Sequence, residues 1–127
     1  MKFAKVKKGE TVVDLGSGDG RLLFACAKKG ARAIGYEINP LLIFLTLLHV
    51  KLKGLSDNIV VIRKNLWKAD LEVADVIFVY AKIKTMPKFE DFVYKNAKSG
   101  TRIVVNTNPF PNKKPQKEED KIFLYKI

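Results

Sequence analysis

Val12-Val13-Asp14-Leu15-Gly16-Ser17-Gly18-Asp19-Gly20 is the stretch that decides the fold. An apolar run leads onto a carboxylate, and three glycines then alternate with Ser17 and Asp19. The run reads as a buried strand over 11–15. The glycines read as a tight turn whose backbone can approach a ligand with no Cβ in the way. Residues 19–29 read as a helix with Leu22, Leu23, Cys26 and Ala27 toward the sheet. Lys28 and Lys29 suit its negative end, and Gly30 stops it. A second apolar run, Ala33-Ile34-Gly35-Tyr36, ends on Glu37, seventeen residues beyond Gly20. Strand, glycine turn, helix and acid-tipped strand together make a nucleotide-type cofactor site.

The glycine spacing narrows the cofactor. In a dinucleotide fingerprint the third glycine would fall at Arg21; here it falls one residue earlier, at Gly20. That rhythm suits a ligand without a pyrophosphate, S-adenosylmethionine, lying beside the loop formed by Gly16, Ser17, Gly18, Asp19 and Gly20. Asp14 is placed for the methionyl ammonium. Glu37 can accept from both ribose hydroxyls, with Ile38 beside it. Asn65 and Leu66 follow the third strand. They fit either the adenine edge, by the Asn65 carbonyl and the Leu66 N–H, or a plain turn. Tyr80 ends the fourth strand, where the transferred methyl would lie. It either walls the pocket and orients the acceptor, or closes the core.

The rest of the chain continues the alternation. Asn39 and Pro40 make a sharp helix start, and the helix runs to about Lys53 before Gly54. Its run Leu41 to Val50 is half the length of a membrane span and reads as a helix buried on most sides. Strands are expected at 58–63, 74–80 and 102–106, with a polar helix over 87–98. Residues 107–120 read as an exposed connector with a short edge strand, and 121–127 as a final strand. Strand and helix in alternation give an α/β fold. We expect a Rossmann-like, mostly parallel sheet of six or seven strands, in one domain spanning 1–127.

Composition sets further bounds. The chain has 127 residues, a formal net charge of +11 and one cysteine. A lone cysteine, Cys26, excludes an internal disulfide framework and suits a reducing, cytoplasmic setting, where it reads as a small core residue. The N-terminus lacks the apolar core of a signal peptide. The charge fits either a solvated lysine-rich surface or attraction to nucleic acid or other anions. His49, the one histidine, reads as a helix residue among leucines.

VVDLGSGDGR, GYEINP, KNLWKAD and ADVIFVY resemble the first four motifs of class I, seven-stranded S-adenosylmethionine-dependent methyltransferases. With GTRIV, PFP and LYK added, the chain from Gly9 onward resembles one group among them. These are the protein-lysine methyltransferases of the ATP synthase c-subunit and adenine nucleotide translocase, with their archaeal relatives. The resemblance implies an antiparallel last strand, S-adenosylmethionine as methyl donor, S-adenosylhomocysteine as product and a protein lysine as acceptor.

Two departures stand out. Relatives carry an extra helix before the first motif, preceded by a Pro/Thr-containing segment that lies over the cofactor, whereas only residues 1–8 precede the first strand region here. Asn65 replaces a more usual acid. Two other readings compete with lysine methylation. One is a nucleic-acid methyltransferase, motivated by the charge. The Asn/Asp-Pro-Pro-aromatic tetrapeptide of amino-directed base methyltransferases is missing after strand four, which ends Val79-Tyr80-Ala81-Lys82. Only Tyr80 and Phe110 offer themselves for stacking a flipped base. The other is a cofactor-binding module that needs a partner for activity.

Overall fold

The computed structural model describes residues 5–18 and 20–127. Strand β1 (Thr11–Leu15) lies in the middle of a seven-stranded sheet ordered β3-β2-β1-β4-β5-β7-β6. Its neighbours are β2 (Arg32–Tyr36) and β4 (Val76–Tyr80), both parallel to it. Strands β3 (Ile59–Ile62) and β5 (Arg102–Asn106) extend the parallel part. Strand β7 (Ile122–Lys126) runs antiparallel to β5, and the short β6 (Lys117–Glu119) edges it. The expected short edge strand in the connector is β6. It turns into β7 through Asp120 and Lys121, both at positive φ.

The chain leaves β1 toward β2 on one side, then returns to place β4 on the other. The carboxyl ends of β1 and β4 therefore flank the switch point, where open α/β sheets bind ligands.

Period-two alternation divides the core between the two faces of the sheet. Val13, Leu15, Ile77, Val79, Ile103 and Val105 face helix α3 (Met86–Asn96), whose Phe89 and Val93 are buried. Val12, Val76, Phe78 and Val104 face helix α1 (Arg21–Lys28). This helix is shorter than expected and buries Phe24 beside Leu23, Cys26 and Ala27. Leu22 is only half-buried. Cys26 is a buried core residue, as its neighbours in the sequence imply. Among the described residues no helix precedes β1, and none is long and apolar enough to cross a membrane.

Helix α2 (Pro40–Leu52) corrects the expectation of burial on most sides. Asn39 caps it by accepting from the Leu41 and Leu42 amides, and Pro40 opens it, as the sequence predicts. Yet only Thr46 and Val50 are buried. Leu41, Phe44 and Leu52 are 63%, 62% and 73% exposed. The helix is apolar on both faces, so its sequence pattern does not say which face the sheet covers. One narrow strip packs against the sheet and the other faces outward. His49 is likewise exposed, its ring edge-on to Phe24 at 5.9 Å.

Candidate functional site

The glycine loop is built by three left-handed residues: Gly16, Gly18 and Gly20 have φ of 86°, 58° and 83°. Any other residue would be strained there. At Gly20 space matters as well, because an added Cβ would lie 2.7 Å from Thr46 Cγ2 on α2. The Thr46 hydroxyl accordingly reaches back to the Gly18 carbonyl at 3.3 Å. Gly35, paired with Asp14 across the sheet, leaves room for Ser17 and Leu23, each 2.7 Å from where its Cβ would stand. Loop, α2 and β2 are thus held together by contacts that only small residues permit.

Two buried polar groups at this loop lack partners among the described residues. Asp14 is 8% exposed, and no donor there holds its carboxylate. Burial first, and then the Glu37 charge, push its pKa up to about 7. Ser17 Oγ is buried and forms no hydrogen bond among the described residues. Buried polar groups are normally satisfied, so the exception at Ser17, beside the largely buried Asp14 carboxylate in one cleft, marks a place for a polar ligand.

That cleft has a volume of about 500 Å³ and runs from Asp14, Gly16 and Ser17 across Phe78 and Val104 to Tyr80 and Asn106. A second hollow of about 260 Å³ lies beyond Gly16, lined by Glu37, Ile38, Asn65, Leu66 and Trp67. The two share Gly16. The structure therefore brings Asp14, Gly16, Ser17, Gly18 and Tyr80 to one hollow, and Glu37, Ile38, Asn65 and Leu66 to its neighbour. Gly20 holds the loop behind them. Asp19 lies outside the described residues. Arg21, Leu42, Asn106 and Ile122 also line the larger cleft, and the sequence reading does not include them. Arg21 is within reach of such a reading, as the first helical residue after the turn. The others come from packing that no local pattern encodes.

Both recognition side chains of the smaller hollow are already engaged. Glu37 Oε1 accepts from the Gly18 amide at 3.0 Å. Its Oε2 accepts from the Ile38 and Asn39 amides at 3.1 and 3.0 Å. A carboxylate has about four acceptor positions, so accepting two hydroxyls asks at least one amide to let go. Asn65 Oδ1 caps the short 3-10 turn Leu66–Lys68 by accepting from Trp67 N at 3.0 Å. The Leu66 N–H has no backbone acceptor among the described residues. Tyr80 is 70% exposed at the cleft mouth and does not close the core.

The sequence profile of the ANTKMT methyltransferase domain matches residues 14–117. The chain belongs to this family. It is 37% identical over 82% of its length to mouse adenine nucleotide translocase lysine N-methyltransferase. It is 32% identical over 88% to the ATP synthase c-subunit lysine N-methyltransferase of Xenopus laevis. It is 29% identical over 82% to a protein-lysine N-methyltransferase of Saccharolobus islandicus. It covers 46%, 49% and 66% of these three proteins; the chain spans about half the length of the first two. The crystal structure of an RNA methyltransferase from Salinibacter ruber, in complex with S-adenosyl-L-homocysteine, superposes with a TM-score of 0.94. That pair is 27% identical over 99% of this chain and 86% of the other. The cofactor of the family is S-adenosylmethionine, and the orphaned Asp14 and Ser17 beside an open glycine loop fit such a ligand.

The motifs that single out this family have structural roles. Phe110 of the Pro109-Phe110-Pro111 segment is buried, its ring 4.7 Å from that of Tyr125. The Phe110 amide donates to the Tyr125 hydroxyl at 2.9 Å. The buried Glu90 accepts from both the backbone and the side-chain amide of Asn112, each at 2.9 Å. Trp67 packs on Phe89 and Phe92 under Lys88. These contacts clamp the loops after β3 and β5, which frame the cleft.

Proposed function

We propose that residues 1–127 act as one S-adenosylmethionine-binding domain that methylates protein lysine side chains. The unpartnered, buried Asp14 carboxylate in the larger cleft carries the cofactor reading. An ammonium is the partner it lacks. Glu37 takes the ribose once the Gly18 amide releases Oε1, and Asn65 and Leu66 meet the adenine in the smaller hollow. The bound cofactor supplies an electrophilic methyl on a sulfonium. This chain's part is then to hold the acceptor in line and dry. Apart from Asp14, the described lining of the larger cleft includes no acid and no histidine. The apolar floor of Phe78, Val104 and Ile122 favours the neutral amine over the ammonium, so a lysine sheds its proton to water before transfer. Tyr80 and Asn106 stand at the mouth to orient it.

The lysine reading rests on the lysine methyltransferases to which the chain is similar. A second reading, methylation of RNA, is favoured by the near whole-length match to the Salinibacter ruber protein. The chain's charge of +11 supports it as well. Against it, Phe110 is buried in the core, which leaves Tyr80 as the exposed aromatic at the cleft. A flipped base is usually stacked between two apolar groups. The test is incubation of the purified chain with methyl-labelled cofactor and a cell extract. Label that is protease-sensitive, and recovered as methyl-lysine after acid hydrolysis, supports the first reading. Label that resists protease and yields to ribonuclease replaces it with the second.

A further inference from the structure

We infer that the outer face of α2 docks onto anionic lipid surfaces. The inference is independent of which acceptor is methylated. Leu41, Phe44, Leu45, Leu48 and Leu52 recur at spacings of three and four, so they form one stripe along the helix. All five are exposed, from 38% at Leu45 to 73% at Leu52. The stripe points away from Thr46 and Val50, the two residues that α2 buries. Ile38, 63% exposed, prolongs it past the helix start. A soluble surface rarely keeps so many large apolar side chains contiguous without an occupant.

Charge selects the occupant. Residues 38–56 contain no acid, and their only ionisable side chains are His49, Lys51 and Lys53. Glu37, just before them, is turned inward onto three backbone amides. A second copy would bring the same lysines and another +11 against the first. An anionic bilayer offers hydrocarbon to the stripe and headgroup phosphates to Lys51, while Lys53 lies over the Phe24 ring at 5.6 Å on the inner side. Length selects the mode. Thirteen residues of helix extend about 20 Å, too short to cross a bilayer core of about 30 Å. The helix therefore lies in the plane of the surface. Leu42, on its inner side, lines the larger cleft, and Ile38 lines the smaller one. Docking in this way sets both hollows beside the lipid–water boundary.

The experiment is sedimentation of the full chain with vesicles of phosphatidylcholine, alone or mixed with phosphatidylglycerol. It compares the native chain, a Phe44→Ser/Leu48→Ser/Leu52→Ser variant and a Lys51→Glu/Lys53→Glu variant. Circular dichroism melts establish that each is folded. The native chain should sediment with mixed vesicles and not with neutral ones. The serine variant keeps every charge and should bind mixed vesicles at least about tenfold more weakly, because the lost term is apolar burial. The glutamate variant should also weaken. Equal binding by the serine variant would overturn the proposal, since the lysine-rich surface alone would then suffice. A concentration-dependent dimer without lipid, abolished by the serine changes, would overturn it in favour of a second copy.

Discussion

The two ends of the central strands carry carboxylates that live in opposite circumstances. At the amino end, Asp75 accepts from the Thr11 amide at 2.8 Å and pairs with Lys98 at 3.1 Å. Glu10 there meets Arg102 at 2.8 Å. Both acids are held below their ordinary range, Asp75 chiefly by the Thr11 amide and Glu10 chiefly by the Arg102 hydrogen bond. At the carboxyl end, Asp14 is buried without a donor among the described residues and is raised to about 7. One end is finished as a folding unit. The other leaves the Asp14 carboxylate and Ser17 Oγ without a hydrogen bond among the described residues, the pattern expected of a binding site.

The largest way to break this contrast is Asp14→Asn. Cofactor affinity, measured by calorimetry, should fall about a hundredfold, as expected when a buried charge pair loses one partner. The same variant without cofactor should be more stable near pH 8, by about 1–2 kcal/mol. The gain from not ionising Asp14 is trimmed by the cost of burying an unpartnered amide. A substitution that loses affinity and also loses stability would show Asp14 to be structural.

The next effect is its pH dependence. Asp14 keeps its proton longer in the folded state than in the unfolded one. Its contribution is therefore fully favourable below the ordinary value of 3.8 and is lost as pH rises through about 7. Relative to Asp14→Asn, the native chain should become progressively less stable from about pH 4 to pH 7 and level off above. Pairing with an ammonium reverses the preference, so cofactor binding below pH 7 should release a proton. Titration in buffers of different ionisation heat reads that release directly. Asp75 and Glu10 have the opposite sign. Their stabilisation is present above the ordinary carboxylate range and is lost as pH falls through their lowered values.

At the amino end, Asp75→Ala should cost about 1–2 kcal/mol, because the Thr11 amide loses its acceptor. The exposed part of the Lys98 pair adds little. Cofactor affinity should not change. If chemical denaturation shows the loss but calorimetry also shows weakened binding, the two ends of the sheet are coupled and the contrast fails.

How legible this was from the sequence depends on whether the signal is local. The strand before the glycines, Glu37 at the end of the second run and Asn39-Pro40 at the helix start are short-range patterns with one physical solution each. They placed β1, β2 and the start of α2. The exposure of Leu41, Phe44 and Leu52 was not legible, because a helix apolar all round does not announce which face the sheet covers. Nor was the engagement of Glu37 by the Gly18, Ile38 and Asn39 amides, which depends on how the loop closes over β2. Asn106 and Ile122 reach the cleft through sheet order, a long-range property that residue spacing does not contain.

The smallest effect sharpens the comparison from within the carboxyl end. If every group there served binding, disturbing the loop after β5 would damage affinity. The geometry says otherwise for Tyr125, whose hydroxyl is spent on the Phe110 amide beneath the Pro109–Pro111 segment. In Tyr125→Phe the ring still fills the core beside Phe110, so packing is kept, and one buried N–H loses its acceptor. The cost should be about 1 kcal/mol, read as a lower denaturation midpoint with an unchanged slope. Cofactor affinity should stay within about twofold, a difference of roughly 0.4 kcal/mol. A larger loss of affinity would mean that this clamp transmits to Asn106 and Tyr80, making the PFP and LYK motifs parts of the site. The expected split instead divides the carboxyl end in two: a satisfied frame of Phe110, Tyr125, Glu90 and Asn112, and inside it the unsatisfied pair, Asp14 and Ser17.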